Sequence, residues 1–247
     1  MKLLGNGLLP HITYSSVASF NPFDYGTVHL WLDGADADTL YTDAGVTKVS
    51  ADGQAVYRWV DKSGNANHAN QITAGSRPLY KTAIQNGRSV LRFDGGDDNF
   101  LVNFSLPAGN WTFFFAVGGA LPSGGSYNYL VDSEIGRFII AQLGDTASNV
   151  QWYDGAWKGA AAASGAWQCL TFCMDNAGAS VRRNGVQIST GSYTQKALGG
   201  STRIGSNYVP DGSYIAMDLC EMIVYGGALS AGNRQPVESY LMSKWGL

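Results

Sequence analysis

The chain has 247 residues, of which 45% are hydrophobic and 14% charged, with a formal net charge of −3. That balance excludes wholesale disorder, and the sequence contains no Lys/Arg cluster to grip a nucleic-acid backbone. No apolar run approaches the ~20 residues that span a bilayer, so neither nucleic acid nor a membrane is expected as a partner.

Residues 1–27 have no clear period and are punctuated by Pro10, Asn21 and Pro22. They read as an extended N-terminal arm, either an assembly anchor or a segment packed along its own domain. Met1 to Pro10 carries one Lys and an apolar stretch broken at Gly5, Asn6 and Gly7, which is neither a signal peptide nor a spanning segment. From Val28 to Leu247 short runs of Val, Ile, Phe, Tyr, Trp and Thr alternate with clusters of Gly, Asn and Asp, the texture of an antiparallel sandwich. VHLWLDGADADTLYTD is a strand followed by an acidic turn, and AVYRWVDKSGNANHANQ a strand followed by a turn of Asn and Gly, residues that bond their own backbone and tolerate left-handed conformations.

The run WTFFFAVGGA is apolar on both faces and therefore belongs in the middle of a sheet. Further strands fit YNYLVDSE, RFIIAQLG, NVQWYDG, WQCLTFCMD, SVRRNGVQIS and TRIGSN, with Asn184-Gly185 as a two-residue hairpin signal. About a dozen strands in one domain imply an all-β fold of two packed antiparallel sheets, a jelly roll. Cys169, Cys173 and Cys220 cannot all pair with one another and are expected to be free buried thiols, as in a chain folded in a reducing cytoplasm.

The chain closes on GSYIAMDLCEMIVYGGALSAGNRQPVESYLMSKWGL. Period two places Ile215, Met217, Leu219, Ile223 and Tyr225 on one face of a final strand. A short helix follows, capped by Ser230 or Asn233, with Pro236 favouring the later start. Val237, Tyr240, Leu241 and Trp245 give it an apolar stripe and Gly246 a stop, so it is expected to plug one side of the sandwich.

The succession LWLDGADADTL, W-x-D-K-S-G-N, RP-x-Y, LRFDGGDDNFL, RRNG, RIGSN and CEMIVYGGALS…VESYLMSKWGL resembles the laminin-G-like branch of the concanavalin A-like lectin/glucanase superfamily. The resemblance runs from about Val28 to Leu247, leaves the arm outside, and implies a two-sheet jelly roll with one concave face. β-Glucan hydrolases of that superfamily carry E-x-D-x-x-E on one strand, where alternate residues share a face and can flank one glycosidic bond. This sequence has no such triplet. Its nearest approach is Asp218-Leu-Cys-Glu221, whose spacing points the two carboxylates to opposite faces of a strand, and Glu221 is expected to bond backbone groups near the core edge. The three histidines lack a nucleophile elbow, and no zinc-ligand spacing occurs. No catalytic residue and no obligatory cofactor is therefore expected.

Two kinds of binding remain. Calcium suits oxygen-rich turns; Asp97, Asp98 and Asn99, beside Asp94, are the candidate ligands because Asp98-Asn99 resembles the Asp-Asn pair of pentraxin-type domains, while Asp33, Asp36 and Asp38 form a second acidic turn. Glycan suits aromatic rings flanked by amides and carboxylates; Trp152, Tyr153, Asp154 and Trp157 surround one turn, Tyr127, Asn128 and Tyr129 another, and Tyr208 and Asp211, with Asn207, a third. The lack of a secretion signal, the odd cysteine count and the arm together favour a non-catalytic surface protein of a tailed-phage virion, on capsid, tail or fibre. Such a protein would be joined to other virion proteins through residues 1–27, homo-oligomeric, and in contact with cell-surface glycan. The alternatives are a lectin-like recognition module and, behind it, a carbohydrate-active hydrolase.

Overall fold

The computed structural model describes residues 20–103, 105–118, 127–143 and 149–247. Two antiparallel sheets face each other, as expected. The first has eight strands, in the order Val186–Gly191, Ala179–Arg183, Gln168–Met174, Trp111–Gly118, Ala216–Gly226, Arg88–Asp94 and Leu79–Gln85, with Thr27–Asp33 also paired to Ala216–Gly226. The second has nine, running Trp157–Ala162, Asn149–Tyr153, Phe138–Leu143, Tyr127–Ser133, Thr202–Ile204, Phe100–Val102, Ala69–Asn70, Arg58–Trp59 and Leu40–Tyr41. Trp111–Gly118 is buried along its whole length between two neighbours, which is what its unbroken apolar run requires. Asn184 and Gly185 turn the hairpin with positive φ of 47° and 76°, as a tight two-residue turn demands.

The inter-sheet core holds Phe93, Phe113, Phe115 and Phe172 from the first sheet and Trp59, Phe100, Phe138 and Trp152 from the second. Loop motifs have local reasons as well. The Asp61 carboxylate of the W-x-D-K-S-G-N turn accepts from the backbone N–H groups of Trp31, Ser63 and Asn67. Gly205 of RIGSN adopts φ of 91°, and a Cβ there would stand 2.6 Å from the Phe93 ring.

The closing strand departs from strict alternation. Its pairing with Trp111–Gly118 shifts between Leu219 and Glu221, a β-bulge that inserts one residue. Met217, Leu219, Met222 and Val224 consequently face the inter-sheet core, whereas Cys220, Ile223 and Tyr225 face the helix, so the expected single apolar face is split in two. The same bulge corrects the expectation for Asp218 and Glu221. Both lie on the helix side, Asp218 in a two-pronged pair with Arg92 at 2.8 Å and Glu221 under the helix itself.

The helix spans Ala231–Trp245 and is capped by Ser230, whose Oγ accepts from the Asn233 N–H. Asn233 is not the cap, and Pro236 lies beyond the first turn. Gly246 ends the helix with φ of 65°. Val237, Leu241 and Trp245 are fully buried against Phe114, Ala116, Cys169 and Ile223. All three cysteines are buried and free. Residues 1–19 of the expected arm lie outside the described residues. Its last part is packed on the domain: Phe20 stacks on Tyr240, the Tyr225 hydroxyl donates to the Pro22 carbonyl, and Asn233 donates to the Tyr25 carbonyl.

Glu221 ties these parts together. One carboxylate oxygen accepts from Trp31 Nε1 (2.7 Å) and the Tyr240 hydroxyl (3.0 Å), the other from Lys244 Nζ (2.7 Å) and Trp245 Nε1 (2.9 Å). All four partners are side chains, not the backbone groups expected. Burial, with Asp33 nearby, pushes this carboxyl up, and Lys244 opposes the shift. Breaking a buried pair by removing one partner typically costs 3–5 kcal/mol. Glu221→Ala is therefore expected to lower stability to urea by about 3 kcal/mol or more, with Glu221→Gln milder because it keeps an acceptor; equal stability of all three proteins would remove Glu221 from this role.

Candidate functional site

The helix occupies the outer side of the eight-stranded sheet, and among the described residues no helix covers the outer side of the nine-stranded one. Alternation decides what that open face displays. Leu40, Trp59, Ala69, Phe100 and Ile204 point into the core, so their neighbours Tyr41, Arg58, Asn70, Leu101 and Arg203 point out. Register then links them across the strands: Tyr41 opposes Arg58, Arg58 opposes Asn70, Asn70 opposes Leu101, and Leu101 opposes Arg203. The line continues from Arg203 to Asp132, Ile139, Tyr153 and Trp157. One row of directly opposed residues thus crosses all nine strands.

At the Tyr41 end the row forms the floor of a groove of about 540 Å³, with Arg58, Asn70, Leu101 and Arg203 below and Asn99 and Tyr214 among its walls. Arg58 Nε donates to Asn70 Oδ1 at 2.8 Å. Arg203 Nη1 donates to Asn99 Oδ1 at 2.5 Å and its Nε to the Tyr208 carbonyl at 3.1 Å. Burial holds the Arg203 guanidinium below its usual range.

At the other end lies an aromatic platform. Trp157 stacks on Tyr127 with ring centroids 5.5 Å apart and planes 8° from parallel, Tyr129 follows Tyr127 at 6.2 Å, and Tyr153 meets Trp157 edge-on at 5.3 Å. Tyr127 is 48% exposed, so the stack has a face in solvent. Between platform and groove, buried Asp132 accepts from the Tyr208 N–H and from Arg137, whose guanidinium lies 4.6 Å over the Tyr208 ring.

The glycan candidates are therefore dispersed by the fold. Tyr153 and Trp157 join the platform with Tyr127 and Tyr129. Trp152 does not: it is fully buried in the inter-sheet core and presents no ring to a ligand. Asp154 is also internal, accepting from the Thr194 N–H and from Lys158. Tyr208 is half-buried under Arg137, and Asp211 closes its own loop by accepting from Asn207. The groove residues Arg58, Asn70 and Arg203 escape a sequence reading because they stand alone in short strands, and only register assembles them.

For calcium the geometry offers a partial set. Carboxylate oxygens of Asp94, Asp97 and Asp98 lie within 4.8 Å of one another. Asp94 Oδ1 already accepts from the Gly96 N–H, Asp97 Oδ2 from the Ser76 hydroxyl and Asp98 Oδ2 from the Asp94 N–H. Asn99 faces elsewhere, its Oδ1 engaged by Arg203 and its Nδ2 donating to the Asp97 carbonyl. Three carboxylates fit a hard cation in donor type, and a full shell of six to eight oxygens would need solvent or ligand. The second acidic turn is already neutralised, Asp33 and Asp36 by Lys62, Asp33 also by Lys244, and Asp38 by Lys48.

Residues 102–233, more than half of the chain, match the concanavalin A-like lectin/glucanases superfamily, and the chain belongs to it. In fold it is similar to domain 4 of AbnA, an extracellular arabinanase of Geobacillus stearothermophilus, with 15% identity over 88% of this chain and 98% of that one and a TM-score of 0.58. It is also similar to the ligand-binding domain of botulinum neurotoxin serotype D (12% identity, 89% and 52% covered, TM-score 0.58) and to a sialidase of Trypanosoma rangeli (12%, 88% and 33%, 0.55). This chain thus spans about half of the neurotoxin domain and about a third of the sialidase. No curated protein matches the sequence significantly.

Burial, with the charges of Asp94 and Asp97 beside it, pushes Asp98 up to about 6. A carboxyl whose folded value exceeds its unfolded one binds its proton more tightly when folded, so its contribution to stability is present at low pH and is lost as pH rises from about 4 to 6. Asp98→Asn keeps the acceptor without the charge. The stability difference between variant and wild type should therefore widen in the variant's favour across that interval, and a difference independent of pH would contradict the assignment. Millimolar calcium, if the three carboxylates hold it, should narrow the gap at pH 7.

Proposed function

We propose that this chain is a non-catalytic carbohydrate-recognition domain that binds glycan along the open face of its nine-stranded sheet. The observation that carries this reading is the single cross-strand row that joins an aromatic platform, Tyr127, Tyr129, Tyr153 and Trp157, to a polar groove. Sugar rings stack their apolar faces on aromatic planes while their hydroxyls seek amides and charged groups, and the row supplies both. Structurally similar proteins support it: the arabinanase domain was solved with arabinotriose and the neurotoxin domain with N-acetylneuraminic acid.

A non-catalytic role is supported by the carboxylates. Asp94, Asp97 and Asp98 share one turn and each already accepts a hydrogen bond from a neighbouring donor. Asp218 and Glu221 are committed to Arg92 and Lys244 on the opposite side of the sandwich. On this reading Trp157→Ala and Tyr127→Ala each weaken binding of a glycan identified on an array about tenfold, the loss of roughly 1.4 kcal/mol of stacking, in proteins that thermal melting shows to be still folded at the assay temperature. Full affinity in both variants, or no glycan bound by the wild type, would overturn the proposal; turnover of any polysaccharide in a panel would overturn its non-catalytic part.

A second reading sets this face on the surface of a tailed-phage virion as a host-attachment domain, in several copies held through the N-terminal arm. What favours it is that the three buried cysteines are all free, so the fold draws on no disulfide from an oxidising compartment. Because Phe20 to Tyr25 pack on the domain, the informative deletion is residues 1–19. The truncated protein should fold and bind glycan as before and be absent from particles; unchanged incorporation would remove the anchor role.

A further inference from the structure

We infer that the groove floored by Arg58 and Arg203 receives a saccharide bearing a carboxylate, of the uronic or sialic type. The inference rests on the glycan-binding reading above and specifies its ligand. Both arginines line the groove and stand in the same cross-strand row, three strand steps apart, or about 14 Å at ~4.8 Å per step. Their acceptors are neutral: Asn70 Oδ1 for Arg58, and Asn99 Oδ1 and the Tyr208 carbonyl for Arg203. Among the described residues neither forms an ion pair, although nine other Lys and Arg side chains do.

A guanidinium taken partly out of water without a counter-charge is costly unless something compensates it. No carboxylate among the described residues stands within ion-pairing distance of Arg203; Asp132, opposite it on the next strand, is paired with Arg137 instead. The side chain is nevertheless held in place, because Asn99, which fixes its Nη1, is itself buried and pinned to Gln71 and Asp97 through their mutual hydrogen bonds. A fixed, partly dry guanidinium with unused N–H groups is pre-organised to meet a planar carboxylate in a two-pronged contact, which an ammonium could not reproduce. The one carboxylate among the groove's lining, Asp97, accepts from the Ser76 hydroxyl and forms no ion pair with either arginine, so both guanidinium groups remain open to an incoming anion.

The test is calorimetric titration of the full chain with trigalacturonate and 3′-sialyllactose, each against its neutral counterpart, galactotriose and lactose. At least one acidic ligand should bind about tenfold or more tightly than its counterpart, and the preference should shrink as NaCl rises from 50 to 300 mM. Arg203→Gln and Arg58→Gln should each abolish that preference, lowering affinity for the acidic ligand by about tenfold or more and for its neutral counterpart by less, and Arg203→Lys should restore only part of it. Thermal melting checks folding; should Arg203→Gln melt early, Arg58→Gln and the salt dependence decide the matter. Equal binding of acidic and neutral sugars, or an acidic preference that survives both substitutions, overturns the inference while the glycan-binding reading stands. Failure of all four sugars to bind, with an empty glycan array, overturns both.

Discussion

The buried carboxylate of Glu221 is the interaction on which the layout of this domain depends. It sits on the longest strand of the eight-stranded sheet and accepts from Trp31 on the first strand and from Tyr240, Lys244 and Trp245 on the helix. Lys244 reaches Asp33 at 2.7 Å as well; burial would raise Asp33, but Lys244 and Lys62 overcome it and hold that carboxyl low. A charge this deep persists only when its partners are complete. The helix therefore has one seat, and by occupying it the chain closes one face of the sandwich and leaves the other available.

The bulge at Leu219 to Glu221 makes that arrangement possible. Without the inserted residue, alternation would have sent Glu221 into the hydrophobic space between the sheets, where no polar partner waits. With it, Cys220 and Glu221 both turn toward the helix while Met222 and Val224 rejoin the core. A bulge of this kind re-aims a side chain at the expense of one ladder position. Here it lets one strand serve two cores.

Several elements were legible in the sequence because their signals are local. An Asn-Gly pair needs no tertiary information to turn a hairpin, an unbroken WTFFFAV has nowhere to go but a sheet centre, and Val237, Leu241 and Trp245 declare a helix face by spacing alone. The errors share a different cause. Ile223 and Tyr225 were placed with Met217 by a period that a bulge interrupts. Trp152 and Tyr153 fall on opposite faces by simple alternation, Trp152 with Val150 in the core and Tyr153 on the platform, but the sequence does not say which parity faces inward. The row from Tyr41 to Trp157 was invisible for a further reason. It is contributed by nine segments, three of them two residues long, and exists only once pairing across more than a hundred residues of sequence is known.

The two outer faces also differ in how charge is settled, and this connects fold to function. On the helix side Asp33, Asp218, Glu221 and Glu238 each have a Lys or Arg partner within 3.0 Å, the pattern expected where charges serve stability. On the open side Asp132 is paired with Arg137 through one oxygen, yet Arg58 and Arg203 are oriented by asparagines, which fix direction without supplying opposite charge. A fold under selection for stability alone gains nothing from aiming two half-buried cations at a groove with neutral clamps. Holding a guanidinium still while leaving its charge uncompensated is how a binding site is pre-organised, since the ordering cost is met before the ligand arrives. The platform adds stacking area in the same row, and the combination of flat aromatic surface with directed cations is what supports the proposal that glycan binds the open face.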